Sequence, residues 1–352
     1  MKALLLLRSR KPNGVDQTWS IRSGWVAGFH RAVYCIRHCD ALDRRIRPTV
    51  YAVVPDDTAS NRVTVGGREL TMSNLEKVLY PATGFTKGQM IDYYTQVSQV
   101  MLPHLRDRPL TMKRCPDGVD EPSFFEKHAP VHTPEWVRQV SVPSTADGDA
   151  VEYLMVCDLP TLIWAVNLAT IEFHVPLWRV PMWSTVPGPP DHLVFDLDPG
   201  EGVTIVECCS VATHVARILT DQGLECMAKT SGSKGLHLYS PLRDRPSWDL
   251  AREHARKIAM DLEREVPDLV VSNMRKGHRR GKVLIDWSQN HPAKTTVAPY
   301  SLRARSEPTV STPVTWEEVE RCHQSGDPAS LRFTAPEVLD RIDSYGDLFA
   351  SV

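Results

Sequence analysis

The sequence predicts an α+β (mixed α/β) fold, and three observations support this class. Short apolar runs of strand length, such as those at 193–198 and 282–287, are interspersed with longer segments of helical periodicity, such as 203–222 and 247–265. The sequence contains neither internal repeats nor low-complexity runs. The chain of 352 residues is 42% hydrophobic and 24% charged, which is typical of a globular protein with a substantial core.

The regular elements begin after residue 60. The segment "RVTVGGRELTM" (62–72) alternates around a Gly-Gly pair and predicts a β-hairpin. Ser73 and Glu76 have the spacing of a capping box, which predicts a short helix through Tyr80. The other predicted elements are a helix from Thr86 to about Met101, a strand at 109–115, a buried helix at 159–169, a strand at 193–198, a helix at about 203–222, two strands around a Ser-Gly-Ser turn within 224–242, a helix at 247–265 and a strand at 282–287.

Composition excludes several classes of protein. The net charge of −2 gives no overall electrostatic argument for nucleic-acid binding, so any such argument must be local. The eight cysteines include no CxxC pair, which predicts a reduced, cytoplasmic protein; a metal cluster of His30, Cys35, His38 and Cys39 is the weaker alternative. The apolar run at 3–7 is too short for a signal peptide or a membrane span, so no membrane partner is expected.

Residues 1–60 form an N-terminal extension that differs from the rest of the chain. They carry eight Arg and two Lys against five Asp and no Glu, a net charge of +5, and show poor periodicity. One interpretation is a basic, partly disordered arm that contacts nucleic acid. The other, which we favour, is a start codon assigned too far upstream. The folded domain is expected to span 61–350.

Two aspartates at alternate positions end the apolar run "HLVFDLDPG" (192–200). Along a strand Asp196 and Asp198 share one face, where two like charges in an apolar setting raise each other's pKa. A divalent cation relieves this repulsion, and hard carboxylate oxygens suit Mg²⁺ or Mn²⁺. A chance D-x-D at a strand end is the alternative.

A third carboxylate, Asp286, ends the apolar strand "VLID". Three aspartates from two strands are typical of two-metal phosphoryl transfer, in which one ion activates a hydroxyl and both stabilise the in-line displacement. A strand-end cap is an equally good interpretation of Asp286 alone.

The segment "KTSGSKGLHLY" (229–239) has the groups that a triphosphate needs, although it lacks the spacing of a P-loop. Ser231 supplies a hydroxyl, Lys234 a charge, and the glycines, including Gly235, let the backbone approach phosphate oxygens. His237 follows on the same strand, within reach of the same ligand. An ordinary hairpin with a structural histidine is the alternative.

Two further segments are candidates for nucleic-acid contact. "RKGHRRGK" (275–282) places five basic residues directly before the Asp286 strand, where a solvated loop is the alternative to phosphate binding. Phe124 and Phe125 are adjacent aromatics that suit base stacking, with core packing as the alternative.

The order of these pieces, from about residue 62 to 348, resembles a known family. It is similar to the polymerase domain of bacterial DNA ligase D, the end-joining branch of the archaeo-eukaryotic primase superfamily. The resemblance covers these separated stretches: "LTMSNLEKVLYP", "GFTKGQMIDYY", "MKRCPDG", "FFEKH", "NLATIEFHVPLW", "VFDLDPG", "TSGSKGLHLY", "VLIDWSQN" and "TTVAPYSLRAR". It implies a primase-like catalytic core with a central β-sheet flanked by helices.

The resemblance also implies roles for individual residues. Matching positions are Asp196, Asp198 and Asp286 for the catalytic, metal-binding carboxylates; His174, Ser231, Lys234, Gly235, His237 and Arg303 for nucleotide binding; and Asn74, Lys77, Lys87, Lys113, Phe124, Phe125 and Arg279 or Arg280 for DNA binding. Within the DNA set, Asn74, Lys77 and Lys87 match positions that hold a 5′-phosphate. None of these positions is degraded, which favours an active homologue.

The implied function is a nucleotidyltransferase that adds ribo- or deoxyribonucleotides to a primer 3′-hydroxyl at breaks or gaps during non-homologous end joining. Two Mn²⁺ or Mg²⁺ ions, a nucleoside triphosphate and DNA with a 5′-phosphate are the implied cofactors and substrates. A stand-alone polymerase working with Ku and a separate ATP-dependent ligase at the nucleoid is expected, because no ligase or nuclease segment is recognisable. A non-catalytic module that binds DNA ends and a metal-dependent phosphohydrolase are the alternatives.

Overall fold

The computed structural model of the protein describes residues 4–10, 16–22, 61–143 and 150–351. The chain divides into two compact units, Met1–Leu75 and Glu76–Val352. Within the described ranges, no helix has both the length and the apolar character needed to cross a membrane.

The first unit contains two antiparallel strand pairs, β1 (Leu4–Arg10) with β2 (Asp16–Arg22) and β3 (Asn61–Val65) with β4 (Arg68–Met72). Gly66 and Gly67 form the second turn with φ of +53° and +79°. A two-residue turn of this type needs positive φ at both positions, which glycine adopts without strain. The predicted hairpin is confirmed. The remainder of 1–60 lies outside the described residues, so the interpretation of that segment stays a prediction.

The second unit mixes helices and strands throughout, which confirms the predicted fold class. Its strands are β5 (Val78–Tyr80), β6 (Phe85–Thr86), β7 (Pro109–Arg114), β8 (Phe124–Glu126), β9 (Gln139–Pro143), β10 (Ala150–Met155), β11 (Thr170–Val175), β12 (His192–Pro199), β13 (Met227–Thr230), β14 (Leu236–Pro241), β15 (Val270–Val271), β16 (Val283–Asp286), β17 (Thr296–Val297) and β18 (Pro313–Val314). Its helices are α1 (Lys87–Leu105), α2 (Leu159–Asn167), α3 (Ile205–Asp221), α4 (Trp248–Glu265), α5 (Trp316–Ser325) and α6 (Ala335–Tyr345).

One sheet of this unit has the strand order β17–β11–β7–β10–β9, with β8 also paired to β7. Its pairings are antiparallel. Lys113 lies opposite both Glu172 of β11 and Phe125 of β8, and Thr111 lies opposite His174. The register therefore brings a basic, an acidic and an aromatic side chain together at one place in the sheet.

The other large sheet has the strand order β15–β16–β12–β14–β13–β18, in which only β15 and β16 are parallel. β12 is therefore a central strand, paired on one side with β16 and on the other with β14. Asp196 lies opposite Asp286 on β16 and opposite His237 on β14. Three of the predicted site residues are thus direct neighbours across the sheet.

Helices cover the face of this sheet opposite the aspartates. Leu193, Phe195 and Leu197 alternate along β12 and are fully buried in a core to which α3, α4 and α5 contribute. Each such side chain contributes about 1.5–3 kcal/mol through removal of apolar surface from water. Because side chains of a strand alternate between faces, Asp196 and Asp198 necessarily lie on the other side.

The predicted helix from Ser73 through Tyr80 is wrong. Asn74 has φ of +53°, and Val78–Tyr80 is the strand β5, which pairs with β6. A capping box requires right-handed helical residues directly after the cap, whereas Asn74 adopts the left-handed conformation that asparagine tolerates.

The other predicted elements from Thr86 onward are confirmed within a few residues, as α1 to α4 and as β7, β12, β13, β14 and β16. Helix α1 begins with a capping box between Thr86 and Gln89 and continues to Leu105. The sequence analysis missed α5 and α6. Helix α5 had visible signals, since Thr315 and Glu318 form a capping box and Gly326 ends the helix with φ of +67°.

Candidate active site

An open cavity of about 510 Å³ lies on the aspartate face of β12. It is lined by His174 of the first large sheet and by residues of the second. Eight of the predicted site residues contribute to its wall: His174, Asp196, Asp198, Ser231, Lys234, His237, Arg279 and Arg303.

Asp286 is held beside this wall through its neighbours. It lies opposite Asp196 in the sheet and caps a short 3-10 turn by accepting hydrogen bonds from the Ser288 backbone N–H (2.9 Å) and hydroxyl (2.5 Å). The Gln289 amide Nε2 lies 3.3 Å from Asp196 Oδ2 and 3.3 Å from Asp286 Oδ2. A neutral amide therefore occupies the space between two carboxylates.

The electrostatics of the aspartates are those of a crowded acidic site. Burial raises the pKa of Asp198 to about 6, and the charges of Asp196 and Asp286 act in the same direction. Burial, the largest effect, disfavours the charged form of Asp196, but the interactions with His237 and the charges of Lys229 and Arg303 together lower the Asp196 pKa. Neighbouring carboxylates in a buried setting favour a bound cation.

The donor set fits a hard divalent cation, since it consists of carboxylate oxygens in a polar cavity. As the side chains stand, however, no group of three His, Cys, Asp or Glu in the described ranges is arranged to hold a metal ion. The Gln289 amide, within 3.3 Å of both carboxylates, lies between Asp196 and Asp286.

The turn between β13 and β14 is ordered by its own first serine. Ser231 Oγ accepts hydrogen bonds from the backbone N–H groups of Ser233 (3.2 Å) and Gly235 (3.1 Å). A Cβ at Gly235 would lie 2.1 Å from the Leu197 carbonyl oxygen, and one at Gly232 would lie 2.6 Å from the Val310 backbone. The glycines therefore allow the turn to pack against its neighbours, a different reason from the predicted approach to phosphate.

Basic groups surround this turn. The Arg303 guanidinium donates to the Ser231 carbonyl oxygen, while Lys234 is exposed at the cavity. Lys229, which the sequence analysis did not single out, is fully buried and lies 3.0 Å from His237 Nδ1. Burial and the charge of Arg303 lower the Lys229 pKa, and Asp196 partly opposes this.

Gly200 docks the basic loop 275–282 onto the end of β12. The Gly200 N–H donates to the Lys282 carbonyl oxygen (2.9 Å), and a Cβ at Gly200 would lie 1.7 Å from the Arg279 carbonyl oxygen. This contact brings Arg279 to the cavity, where its charge lowers the Asp198 pKa against the larger effect of burial. Arg280 is exposed and is not part of the cavity wall, so the structure distinguishes between the two arginines.

Glu172 joins several of the predicted residues, although the sequence analysis gave it no role. This buried carboxylate lies 2.8 Å from His174 Nε2, 3.1 Å from Arg303 Nε and 3.2 Å from Lys113 Nζ. These groups lower its pKa although burial acts in the opposite direction. Its place two residues before His174, on the same strand face, was the available signal.

Phe124 and Phe125 are surface residues rather than core residues. Their side chains are 45% and 60% exposed. Lys113 Nζ lies 5.9 Å from the centre of the Phe125 ring, and the same ring meets His174 edge to face at 5.3 Å. Phe125 therefore continues the cavity wall at His174 as an exposed aromatic surface.

The lysines predicted to hold a 5′-phosphate are close in the chain and differ in exposure. Lys77 forms an ion pair of 2.6 Å with Asp117, while Lys87 is 4% exposed. Burial lowers the Lys87 pKa to about 8, and the charge of Lys77 adds to this effect. Asn74 is exposed and belongs to the first unit.

Comparison with known proteins gives a consistent result. The family model described as "LigD, primase-polymerase domain" matches residues 86–349. The solved structure of the "Polymerase Domain from Mycobacterium tuberculosis Ligase D in complex with DNA" is 45% identical, with a TM-score of 0.75, and the match covers 80% of this chain and 97% of that one.

Longer relatives are similar to this chain as well. The multifunctional non-homologous end joining protein LigD of Mycolicibacterium smegmatis is 47% identical over 279 residues, and the match covers 79% of this chain but 35% of the relative. The corresponding protein of Mycobacterium tuberculosis is 45% identical over 285 residues, and the match covers 80% of this chain and 36% of the relative. The chain thus spans little more than a third of these relatives.

Proposed function

Because the chain belongs to the family of LigD primase-polymerase domains, we propose that it is a nucleotidyltransferase of DNA repair. It adds nucleotides to the 3′-hydroxyl of a DNA strand at breaks or gaps during non-homologous end joining. The observation that carries the proposal is the cavity in which Asp196 and Asp198 face the Ser231 turn and Arg303. Acidic groups suited to cations and basic groups suited to a triphosphate meet there.

Asp196, Asp198 and Asp286 would hold two divalent cations, Mn²⁺ or Mg²⁺. When bound, such ions activate the attacking hydroxyl and stabilise the charge that develops on the phosphoryl oxygens. The raised pKa of Asp198 supports this assignment, since like charges in a buried site are stabilised by cations. Both Asp196 and Asp286 contact the Gln289 amide, so binding of a cation by these two carboxylates would compete with that contact.

The chain's own basic residues bind and orient the nucleotide. Lys234 and Arg303 offset the negative charge of the triphosphate, and the ordered Ser231 turn presents polar groups at the same wall. The bond that forms joins the primer 3′-oxygen to the α-phosphorus, and the bond that breaks releases pyrophosphate. Arg279 lies beside Asp198, where it orients the primer end.

DNA contacts extend from the cavity onto the surface. Phe124 and Phe125 are exposed aromatics that stack on bases next to the gap, with Lys113 beside them. Lys77 and Lys87 hold a 5′-phosphate, and Asn74 of the first unit is a further candidate for DNA contact. The similarity to a polymerase domain solved in complex with DNA supports this surface. Ku and a ligase as partners, and a position at the nucleoid, belong to the same proposal.

Primer extension with the purified chain tests the function. On a gapped duplex with a 5′-phosphate, labelled ribo- and deoxyribonucleotides and Mn²⁺ or Mg²⁺, we expect addition of nucleotides and release of pyrophosphate. Family resemblance implies a preference for ribonucleotides and Mn²⁺. Asp198→Ala should abolish addition while DNA binding stays within about threefold, since DNA is held mainly by contacts other than this carboxylate.

The same assay separates the alternatives. A non-catalytic end-binding module would bind the gapped duplex and add nothing, and a phosphohydrolase would release inorganic phosphate without extending the primer. Either result, or full extension by Asp198→Ala, would contradict the proposal.

A further inference from the structure

Four directly paired residues form a row across four adjacent strands of the second large sheet. Lys229 of β13 lies opposite His237 of β14, His237 lies opposite Asp196 of β12, and Asp196 lies opposite Asp286 of β16. The row thus runs from an amine through an imidazole to two carboxylates. Its first member, Lys229, is fully buried and has no part in the chemistry described above.

The donors and acceptors along this row follow from the chemistry of its groups. Ser311 Oγ donates to the Thr230 carbonyl oxygen (2.9 Å), so it accepts from Lys229 Nζ (2.7 Å). Lys229 Nζ also lies 3.0 Å from His237 Nδ1, and because an ammonium group has only donors, this ring nitrogen is the acceptor. An imidazole nitrogen that accepts carries no proton, so in the neutral ring the proton is on Nε2. His237 Nε2 lies 3.2 Å from Asp196 Oδ1, so in this tautomer its N–H faces that oxygen.

The two oxygens of Asp196 consequently have different partners. Oδ1 is held by His237, whereas Oδ2 lies 3.3 Å from the Gln289 amide, which is also 3.3 Å from Asp286 Oδ2. The orientation of the Asp196 carboxylate that directs Oδ2 toward Asp286 therefore depends on the orientation of the His237 ring.

We propose that Lys229 is a positioning residue of the cation site: it fixes the tautomer and orientation of His237, which holds Asp196 Oδ1 and leaves Oδ2 to a cation shared with Asp286. This inference rests on the proposed function, because it concerns the cations of that same site. Groups that orient metal ligands from outside the coordination sphere typically change metal affinity by about 10- to 100-fold.

The main test is Lys229→Met in the full chain, with Mn²⁺ binding measured by electron paramagnetic resonance without nucleotide or DNA. We expect Mn²⁺ affinity to fall about 10- to 100-fold. The midpoint of thermal unfolding should not fall by more than a few degrees, because replacing a buried charge by an apolar group of similar size is often tolerated. Unchanged Mn²⁺ affinity would overturn the inference.

Two further variants distinguish a positioning role of Lys229 from a general effect on packing. Ser311→Ala removes the other partner of the Lys229 ammonium and leaves the bond to His237, so Mn²⁺ affinity should stay within about threefold of wild type. A loss equal to that of Lys229→Met would indicate a packing effect instead. The double variant Lys229→Met, His237→Gln should bind Mn²⁺ no more weakly than His237→Gln alone, since Lys229 acts through that ring. Additive losses would overturn the inference.

A direct measurement keeps the inference testable if Lys229→Met fails to fold. Nitrogen-15 NMR of the wild-type imidazoles, assigned through His237→Gln, should find Nε2 protonated and Nδ1 unprotonated in His237. The opposite tautomer would contradict the inference. Primer extension by the wild-type chain is scored separately: its absence would count against the proposed function, whereas extension combined with the wrong tautomer would count against Lys229 alone.

Discussion

At the scale of single residues, Glu172 links residues of the proposed nucleotide site to Lys113 of the proposed DNA surface. Its Oε2 contacts His174 and Arg303, and its Oε1 contacts Lys113 and the Ala304 N–H. Only 2% of the Glu172 side chain is exposed, and both of its oxygens contact donor groups rather than water. A buried carboxylate with this many donors fixes the geometry of the groups around it.

Glu172→Gln should therefore raise the KM for the nucleotide. Glutamine has the same size, but its amide NH₂ meets a donor whichever way it is oriented, so either His174 loses its acceptor and Arg303 its ion pair, or Lys113 and Ala304 lose their acceptor. We expect KM to rise about tenfold, equivalent to about 1.4 kcal/mol, with a smaller change in kcat. Steady-state primer extension at varied nucleotide concentration measures both.

The matched control is Glu318→Gln, which removes another part-buried carboxylate paired with an arginine, Arg341, away from the cavity wall. This variant should lose thermal stability without a change in KM. Equal effects of the two variants on KM would mean that Glu172 acts only through general stability.

Lys87 should make the preference for a 5′-phosphate depend on pH. Its pKa of about 8, lowered by burial and by Lys77, means that its charge is present at pH 7 and is lost as pH rises through 8. A terminal phosphate has its second pKa near 6, so its own charge no longer changes in this range. Binding to phosphorylated DNA should then weaken above pH 8 by up to about tenfold per pH unit, as linkage requires.

Competition between phosphorylated and unphosphorylated gapped DNA at pH 7 and pH 9 measures this effect. Lys87→Arg should retain the preference at pH 9, because arginine stays charged. Lys77→Arg changes the neighbouring lysine and should leave the pH dependence in place. A preference that is equal at both pH values in the wild-type chain would remove Lys87 from the phosphate site.

At the scale of elements, the Pro-Gly that ends β12 determines where the basic loop 275–282 lies. Gly200 accepts the close approach of the Arg279 and Lys282 carbonyl groups, which leave no room for a methyl group. Overpacking of this kind typically costs about 1–3 kcal/mol or forces one partner to move. The loop is the partner that can move, because several of its residues are exposed.

Gly200→Ala should consequently lower primer extension by at least about tenfold, because the displaced loop carries Arg279 away from Asp198. Gly277→Ala, in the same loop, is the matched control, since a Cβ there meets no atom within 4 Å. Extension rates and thermal midpoints of both variants provide the measurement. Full activity of Gly200→Ala would show that loop docking does not position Arg279.

Local patterns predicted the elements well where burial and capping agreed. The alternation of Leu193, Phe195 and Leu197 with Asp196 and Asp198 identified both the strand and its polar face. The capping-box spacing of Ser73 and Glu76 predicted a helix that does not form, because the left-handed conformation of Asn74 cannot be read from spacing alone.

Local sequence patterns could not predict which residues meet across neighbouring strands. Lys229, Glu172 and Gln289 contact residues that are distant in the sequence or on neighbouring strands, and only the folded sheets bring them together. Gly235 is a related case: its residue type was noticed for the approach to phosphate, whereas its close contact with Leu197 of β12 is visible only in the packed sheet.

At the scale of the whole molecule, the cavity draws its wall from both large sheets of the unit Glu76–Val352. His174 and Val297 come from β11 and β17 of one sheet, and Asp196 and His237 come from β12 and β14 of the other. Among the described residues, none numbered below 174 lines this cavity. The chemistry proposed for the cavity thus depends on residues of this unit.

Deleting residues 1–60 should leave nucleotide addition intact. With a pre-annealed gapped duplex at saturating concentration, kcat and the KM for the nucleotide should stay within about twofold of the full chain, because the described cavity wall lies entirely beyond residue 60. The segment carries a net charge of +5, from eight Arg and two Lys against five Asp, so the deletion also tests whether it binds DNA. For every DNA phosphate that the shortened chain no longer neutralises, the slope of log affinity against log salt should become shallower by about 0.9 for duplex DNA. An unchanged slope would count against a DNA-binding arm, whereas a large fall in kcat at saturating DNA would contradict an active site confined to Glu76–Val352.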